Sequence, residues 1–224
     1  MARAAKRDTR GAKETAADIR ESIIVAFMAV AGERDFGDIG MADVADRAGI
    51  SLAQLREVYA GKLGILAGFS RKIDLAVLAE GPADPESPAR DRLFEVMMRR
   101  FDALTPYKPA IRRMACAAGC DPALAMVLHR LALRSQRWTL SAAGLRESGL
   151  PGRIAAKGLV LVYAEAMRAW LKDDDPDLGR TMAALDRALR RGERGMKMLC
   201  DLQTIIPGFG RRGSRPTGDA APAA

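Results

Sequence analysis

The sequence predicts an all-α protein. Of its 224 residues, 49% are hydrophobic but only 5% are aromatic, and Ala, Leu, Arg and Met, which lose little rotamer freedom in a helix, are abundant. Apolar residues recur at three- and four-residue spacing through most of the chain. Prolines and glycines gather in a few short segments that punctuate it. A chain of this length buries a core without needing staples.

The formal net charge of +8 suits an anionic partner, nucleic acid or a membrane surface. No apolar run approaches the roughly 20 residues of a membrane span, and the basic stretch Met1 to Lys13 leads into no signal core. The expectation is a cytoplasmic protein without stable membrane insertion. Cys116, Cys120 and Cys200 lack a C-x-x-C spacing and are odd in number, which fits a reducing compartment. Cys116 and Cys120, at i and i+4, read as small buried hydrophobes. His129 is the only histidine and has no partnered ligands, so no metal site is expected. No G-x-S-x-G, phosphate-cradling glycine loop or H-E-x-x-H occurs, and neither enzyme activity nor a cofactor is predicted.

Residues 1–17, with Arg3, Lys6, Arg7, Arg10 and Lys13 among small residues, read as a disordered basic arm. From Asp18 the apolar positions Ile19, Ile23, Phe27 and Val30 mark a first helix, with Phe36 and Ile39 after it as plugs for a small core. Two short helices, Met41 to Ala48 and Leu52 to Tyr59, flank Gly49-Ile50-Ser51, and a longer one follows from Lys62, so that 18–79 form one unit. Residues 80–88 hold three prolines and a glycine and are predicted to be a linker and joint.

The second unit, 89–206, begins with a helix capped by Ser87-Pro88 and running to about Leu104. A short helix from Pro109 to Gly119 and a long one opened by Asp121-Pro122 follow. Gly149, Pro151 and Gly152 are expected to form a turn. The last long helices run from about Arg153 to Lys172 and Asp177 to Leu202. Residues 207–224, rich in Gly, Pro and Ala, are predicted to be a disordered tail.

The stretch Met41 to Ala60 has the requirements of a helix-turn-helix: small Ala45 at the helix crossing, Gly49 able to take positive φ, and inward Val44, Ala48, Ile50, Leu55 and Val58. Ser51 is placed to cap the second helix. The run from Met41 to Ser51, with Tyr59-Ala-Gly-Lys62-Leu-Gly-Ile-Leu66 beyond it, resembles the N-terminal signature of the TetR family of transcriptional regulators.

That resemblance implies a second helix lying in the major groove, with Leu52, Ala53, Gln54 and Arg56 nearest the base edges, where Arg suits guanine and Gln adenine. It also implies phosphate contacts from Tyr59, Lys62 and the helix N-terminus at Met41, with Ser51 among the DNA-binding residues. Gly40 stands where the family usually has Thr, Ala53 where Gly is usual and Arg56 where an aromatic is usual. The guanidinium can hold a phosphate or a guanine in the aromatic's place.

In the second unit, Leu159, Tyr163, Ala166 and Trp170, and Met182, Leu185, Leu189, Met196 and Leu199, form two stripes. By the resemblance, these are expected to be a homodimer interface. A hydrophobic small-molecule effector is expected among Phe94, Met97, Met98, Phe101, Met114, Met126 and Trp138. The implied function is a repressor of double-stranded operator DNA released by that effector. A second resemblance covers Val162-Tyr163, Trp170 to Asp177, Thr181 and Leu185-Asp186-Arg187. It is similar to TetR-fold accessory proteins of ubiquinone biosynthesis and implies isoprenoid lipid binding without DNA, with Met196 to Phe209 on a membrane.

Overall fold

The computed structural model describes the backbone of residues 2–205 and the side chains of 17–195. Helices α1 (Ala2–Glu33), α2 (Met41–Ala48), α3 (Leu52–Val58) and α4 (Lys62–Ala79) form the first half. Helices α5 (Ala89–Leu104), α6 (Lys108–Cys120), α7 (Pro122–Ala142), α8 (Gly149–Trp170) and α9 (Gly179–Ile205) form the second. Among the described residues there is no strand, and no helix is long and apolar enough to cross a membrane.

Two boundaries differ from the sequence reading. Where a basic arm was expected, the backbone of 2–17 forms the first turns of α1; this segment is rich in Ala, Lys and Arg and has no proline to interrupt it. Gly149, Pro151 and Gly152 are not a turn but the opening of α8, with Ser148 at its N-cap. Proline is tolerated there because an N–H in the first turn has no intrahelical acceptor to lose. Thr105-Pro106 ends α5 in a single 3-10 turn, Thr105–Tyr107, and α6 follows without a break. The tail expected over 207–224 lies outside the described residues.

Residues 80–88 join α4 to α5 and are tied down. Ala83 is buried and donates its N–H to the Ala142 carbonyl at 3.1 Å. Arg99 Nη1 donates to the Gly81 carbonyl at 2.8 Å. Proline and glycine break the helix here without preventing the loop from packing.

The two halves share one core. Ile23, Phe27, Val44 and Leu55 belong to the same buried cluster as Phe101, Trp170 and Leu185, because α1 packs on α6 as well as on α2 and α4. Arg113 of α6 reinforces this seam, donating from Nε to the Gly32 carbonyl and from Nη1 to Asp35, each at 3.0 Å.

Packing within the chain covers most of the first stripe expected to form a dimer interface and part of the second. Leu159, Ala166, Trp170, Leu185 and Leu189 are buried in a single subunit, since α8 lies along α9 and α5 closes over α9. Tyr163 is half-buried and Met182 exposed, while the side chains of Met196 and Leu199 lie outside those described. Cys116 and Cys120 are exposed rather than buried: α6 turns Ala110 and Met114 inward, and the cysteines occupy its other side.

The segment Asp173 to Thr181 has a structural duty. Asp173 Oδ2 accepts from the Thr181 backbone N–H at 2.8 Å and from Thr181 Oγ1 at 2.7 Å, satisfying the start of α9. Burial opposes ionisation of this carboxyl, but the bonds from Thr181 outweigh it and hold its pKa below the usual carboxylate value. A depressed folded-state pKa gives stability that is present above the unfolded value and is lost as pH falls through the folded one. Asp173→Ala is therefore expected to cost roughly 1 kcal/mol at neutral pH. The deficit should shrink as pH is lowered through the carboxylate range, read by urea unfolding followed through buried Trp170; a pH-independent deficit would contradict the assignment.

Candidate functional site

The reading head is built around a left-handed glycine. Gly49 has φ +68° and ψ +31°, a conformation that a β-carbon disfavours, and it closes α2 while turning the chain into α3. Val44, Ala45 and Leu55 are buried beneath the turn. Ser51 caps α3: its Oγ accepts from the Gln54 N–H at 3.2 Å, and Gln54 Oε1 accepts in return from the Ser51 N–H at 2.9 Å. This reciprocal box leaves Leu52, Ala53 and Arg56 exposed on α3. Gln54 is also exposed, with its carbonyl oxygen engaged by Ser51 and its amide N–H groups available to a partner.

At the start of α2, Gly40 has no side chain to accept from the first free N–H groups, and Asp43 supplies only the reciprocal half of a capping box. Its Oδ2 accepts from the Gly40 N–H at 3.0 Å and its Oδ1 lies 3.0 Å from Arg34 Nη1. The Gly40 bond, then Arg34, holds this carboxyl below its usual pKa. Met41, beside it, is half-buried against the core.

Tyr59 and Lys62 brace the head. The Tyr59 ring lies along α4 over two glycines, with a Gly64 β-carbon position 3.6 Å from its Cδ1 and a Gly68 β-carbon position that would clash with its hydroxyl. Burial pushes the hydroxyl's pKa up, with Arg20 and Glu21 of α1 as its charged neighbours. Lys62 Nζ donates to the Phe36 and Gly37 carbonyls at 2.9 and 3.3 Å and sits 4.9 Å from the Phe36 ring centroid. An ammonium has three donors, so one N–H of Lys62 is left for another acceptor.

Behind the head, a cavity of about 450 Å³ opens between α4, α5, α6, α7 and α8. Its walls are aliphatic, and Ser70, Arg100 and Tyr163 also line it. Of the seven residues expected to form a pocket, Met114 alone lines this space. Met97 and Phe101 are fully buried core, Phe94 and Met98 are half-buried beside it, and Met126 and Trp138 are exposed on α7. The α5 stripe packs with α8 and α9, as in the stacking of Phe101 on Tyr163 at 5.7 Å. The cavity instead forms where Ala115, Ala118, Ala125 and Ala132 leave room. Those alanines were the signal that sequence reading missed.

No family model matches the sequence. No curated protein matches it either. Solved structures do. A TetR transcriptional regulator from Nitrosomonas europaea ATCC 19718 superposes with a TM-score of 0.62 at 19% identity, covering 78% of this chain and 98% of its own. The fold is that of the TetR regulators. A TetR regulator from Rhodococcus sp. RHA1 is similar at 0.54 and 16% identity, over 78% and 95% of the two chains. One from Streptomyces coelicolor is similar at 0.52 and 16%, over 85% and 93%.

In this TetR fold a single helix connects α3 to the cavity. Helix α4 starts at Lys62 beside the head, carries the glycines beneath Tyr59, and lines the cavity with Leu66, Phe69, Ser70 and Ile73. Lys72, further along, donates to Tyr107 Oη at 2.7 Å and pairs with Glu21 of α1, joining α4 to both halves. Gly68→Ala is expected to push the Tyr59 ring off α4 and to cost about 1–3 kcal/mol by overpacking. A thermal melt in which this variant matches the wild type would show that the glycine platform does not position Tyr59.

Proposed function

We propose that the chain is a sequence-specific regulator that binds double-stranded DNA through α3 as a homodimer. Its domains are a head, 18–79, and a dimerising, ligand-binding body, 89–206. One observation carries this reading: a fully capped α3 presents Leu52, Ala53, Gln54 and Arg56 to solvent from a rigid helix-turn-helix within a TetR fold. Such a face fits the major groove, with Arg56 toward guanine or phosphate, the Gln54 amide toward an adjacent acceptor, and Leu52 toward a thymine methyl. Met41, Ser51, Tyr59 and Lys62 lie on the flanks, where phosphates would run. The free N–H of Lys62 is the one suited to such a contact, while Tyr59 acts through the packing of the head.

A second copy would meet the outer face of α8, where Gly158 is open and Leu161 is 73% exposed. A dimer sets two α3 helices against a palindromic site. The cavity against α4 suits a hydrophobic effector whose binding releases DNA, which makes the regulator a repressor. This reading assigns the chain no catalytic role, and no cluster of metal-ligating side chains occurs among the described residues. A lipid-accessory role without DNA has less support, since Asp173 and Thr181 of that resemblance are occupied in starting α9.

Selection of bound duplexes from a random pool is expected to enrich a palindrome whose binding weakens steeply with salt, as counterion release requires. Arg56→Ala should lower affinity for the selected site by about tenfold or more without changing the melting temperature. A pool that yields no enriched sequence would sink the regulator reading.

A further inference from the structure

The cavity has apolar walls, but one part of its lining is a buried, charge-compensated cluster. Arg100 of α5 is 7% exposed. Its Nη1 donates to Asp74 Oδ1 of α4 at 2.6 Å and its Nη2 to Ser135 Oγ of α7 at 2.8 Å. The Ser135 hydroxyl in turn donates to Asp74 Oδ1 at 2.5 Å. Ser70 Oγ lies 3.4 Å from Ser135 Oγ, and the Tyr163 ring lies 5.7 Å from the guanidinium carbon. Arg100 Nε is buried and has no acceptor among the described residues. A buried donor left unmatched is costly, and this one belongs to a residue that lines an open cavity.

We propose that this cluster is the headgroup subsite of the cavity, and that its ligand is an uncharged aliphatic molecule carrying a hydrogen-bond acceptor such as a ketone or ester carbonyl. The inference rests on reading the cavity as an effector site. A carbonyl supplies the acceptor that Arg100 lacks, and the aliphatic part fills a wall of Leu66, Leu104, Ile111, Met114 and Leu128. A carboxylate fits less well. Asp74 already balances Arg100 in direct contact, so a second anion would be buried beside Asp74 with no cation of its own.

Arg168 and His129 also line the cavity, but both are exposed, and an anionic head held by them would leave the buried subsite unused. The headgroup would draw on the same side chains that tie α4 to α5 and α7. An occupant therefore acts on the helix that carries the head.

Three probes of equal chain length decide the matter: 2-decanone, decane and decanoate, titrated into the full chain without DNA and read by calorimetry and thermal shift. The expected result is that 2-decanone binds about tenfold tighter than either of the others, the worth of one hydrogen bond to a charged donor. The double variant Arg100→Met/Asp74→Leu, which removes both charges and every donor of the pair together, should bind decane as the wild type does and lose the preference for the ketone.

Decane binding as tightly as 2-decanone, or decanoate binding tighter than 2-decanone, overturns the subsite and leaves the cavity reading in place. A double variant that keeps the ketone preference also overturns it. Binding of none of the three overturns both. Should the double variant not fold, the wild-type comparison decides alone. Because no DNA is present, a failure of operator binding is a separate result.

Discussion

A buried arginine and a buried aspartate, 26 residues apart in sequence, meet at 2.6 Å between α4 and α5. Two such charges are expensive to take out of water, and their mutual attraction offsets that expense only when geometry and further hydrogen bonds are good. Ser135 supplies the further bonds from α7. Three helices are thereby fixed relative to one another by polar groups that tolerate little displacement. An apolar contact could slide by a fraction of an ångström at small cost, whereas this cluster loses hydrogen bonds when any member moves. The opening between α4 and its neighbours is held at a defined width for that reason.

From this anchor, α4 extends to the head as a strut. Its glycines accept the Tyr59 ring, its first residue clamps the 36–37 carbonyls, and Lys72 grips α1 and Tyr107. Arg113 makes a second connection, from α6 to the end of α1. The orientation of α3 is consequently set from two sides: through α4 by the polar cluster, and through α1 by α6. Both routes border the cavity, since Met114 of α6 and Phe69 of α4 are among its walls.

The local parts of this arrangement were legible in the sequence and the long-range parts were not. Gly49, Ser51 and Asp121 signal their turns and caps because each acts on backbone within a few residues. The structure has them so, with Asp121 accepting from the Ala123 and Leu124 N–H groups. The apolar stripes of α8 and α9 were visible too, but periodicity says only that a face is covered. It does not say whether a neighbouring helix or a second chain covers it. The cavity was misplaced because large side chains draw attention as linings, whereas a void forms where small ones face each other. The pairing of Asp74 with Arg100 leaves no local trace at all, and Pro151, set apart from its cap Ser148 by Gly149 and Leu150, lacks the adjacent cap-plus-proline signature by which Asp121-Pro122 announces a helix start.

One shared core for both halves bears on how such a protein can be remodelled. The fold suggests a cassette, a head to be cut at the 80–88 loop and joined to another body. A cut there would separate Asp74 from Arg100 and strip α1 of α6, leaving a buried carboxylate unpaired and an apolar helix face in water. The four exposed side chains of α3 stand outside that shared core. Variation in what the head recognises is accessible through point changes at 52, 53, 54 and 56, while recombination at the apparent boundary carries the cost of rebuilding an interior. The molecule is divisible in outline and indivisible in its packing.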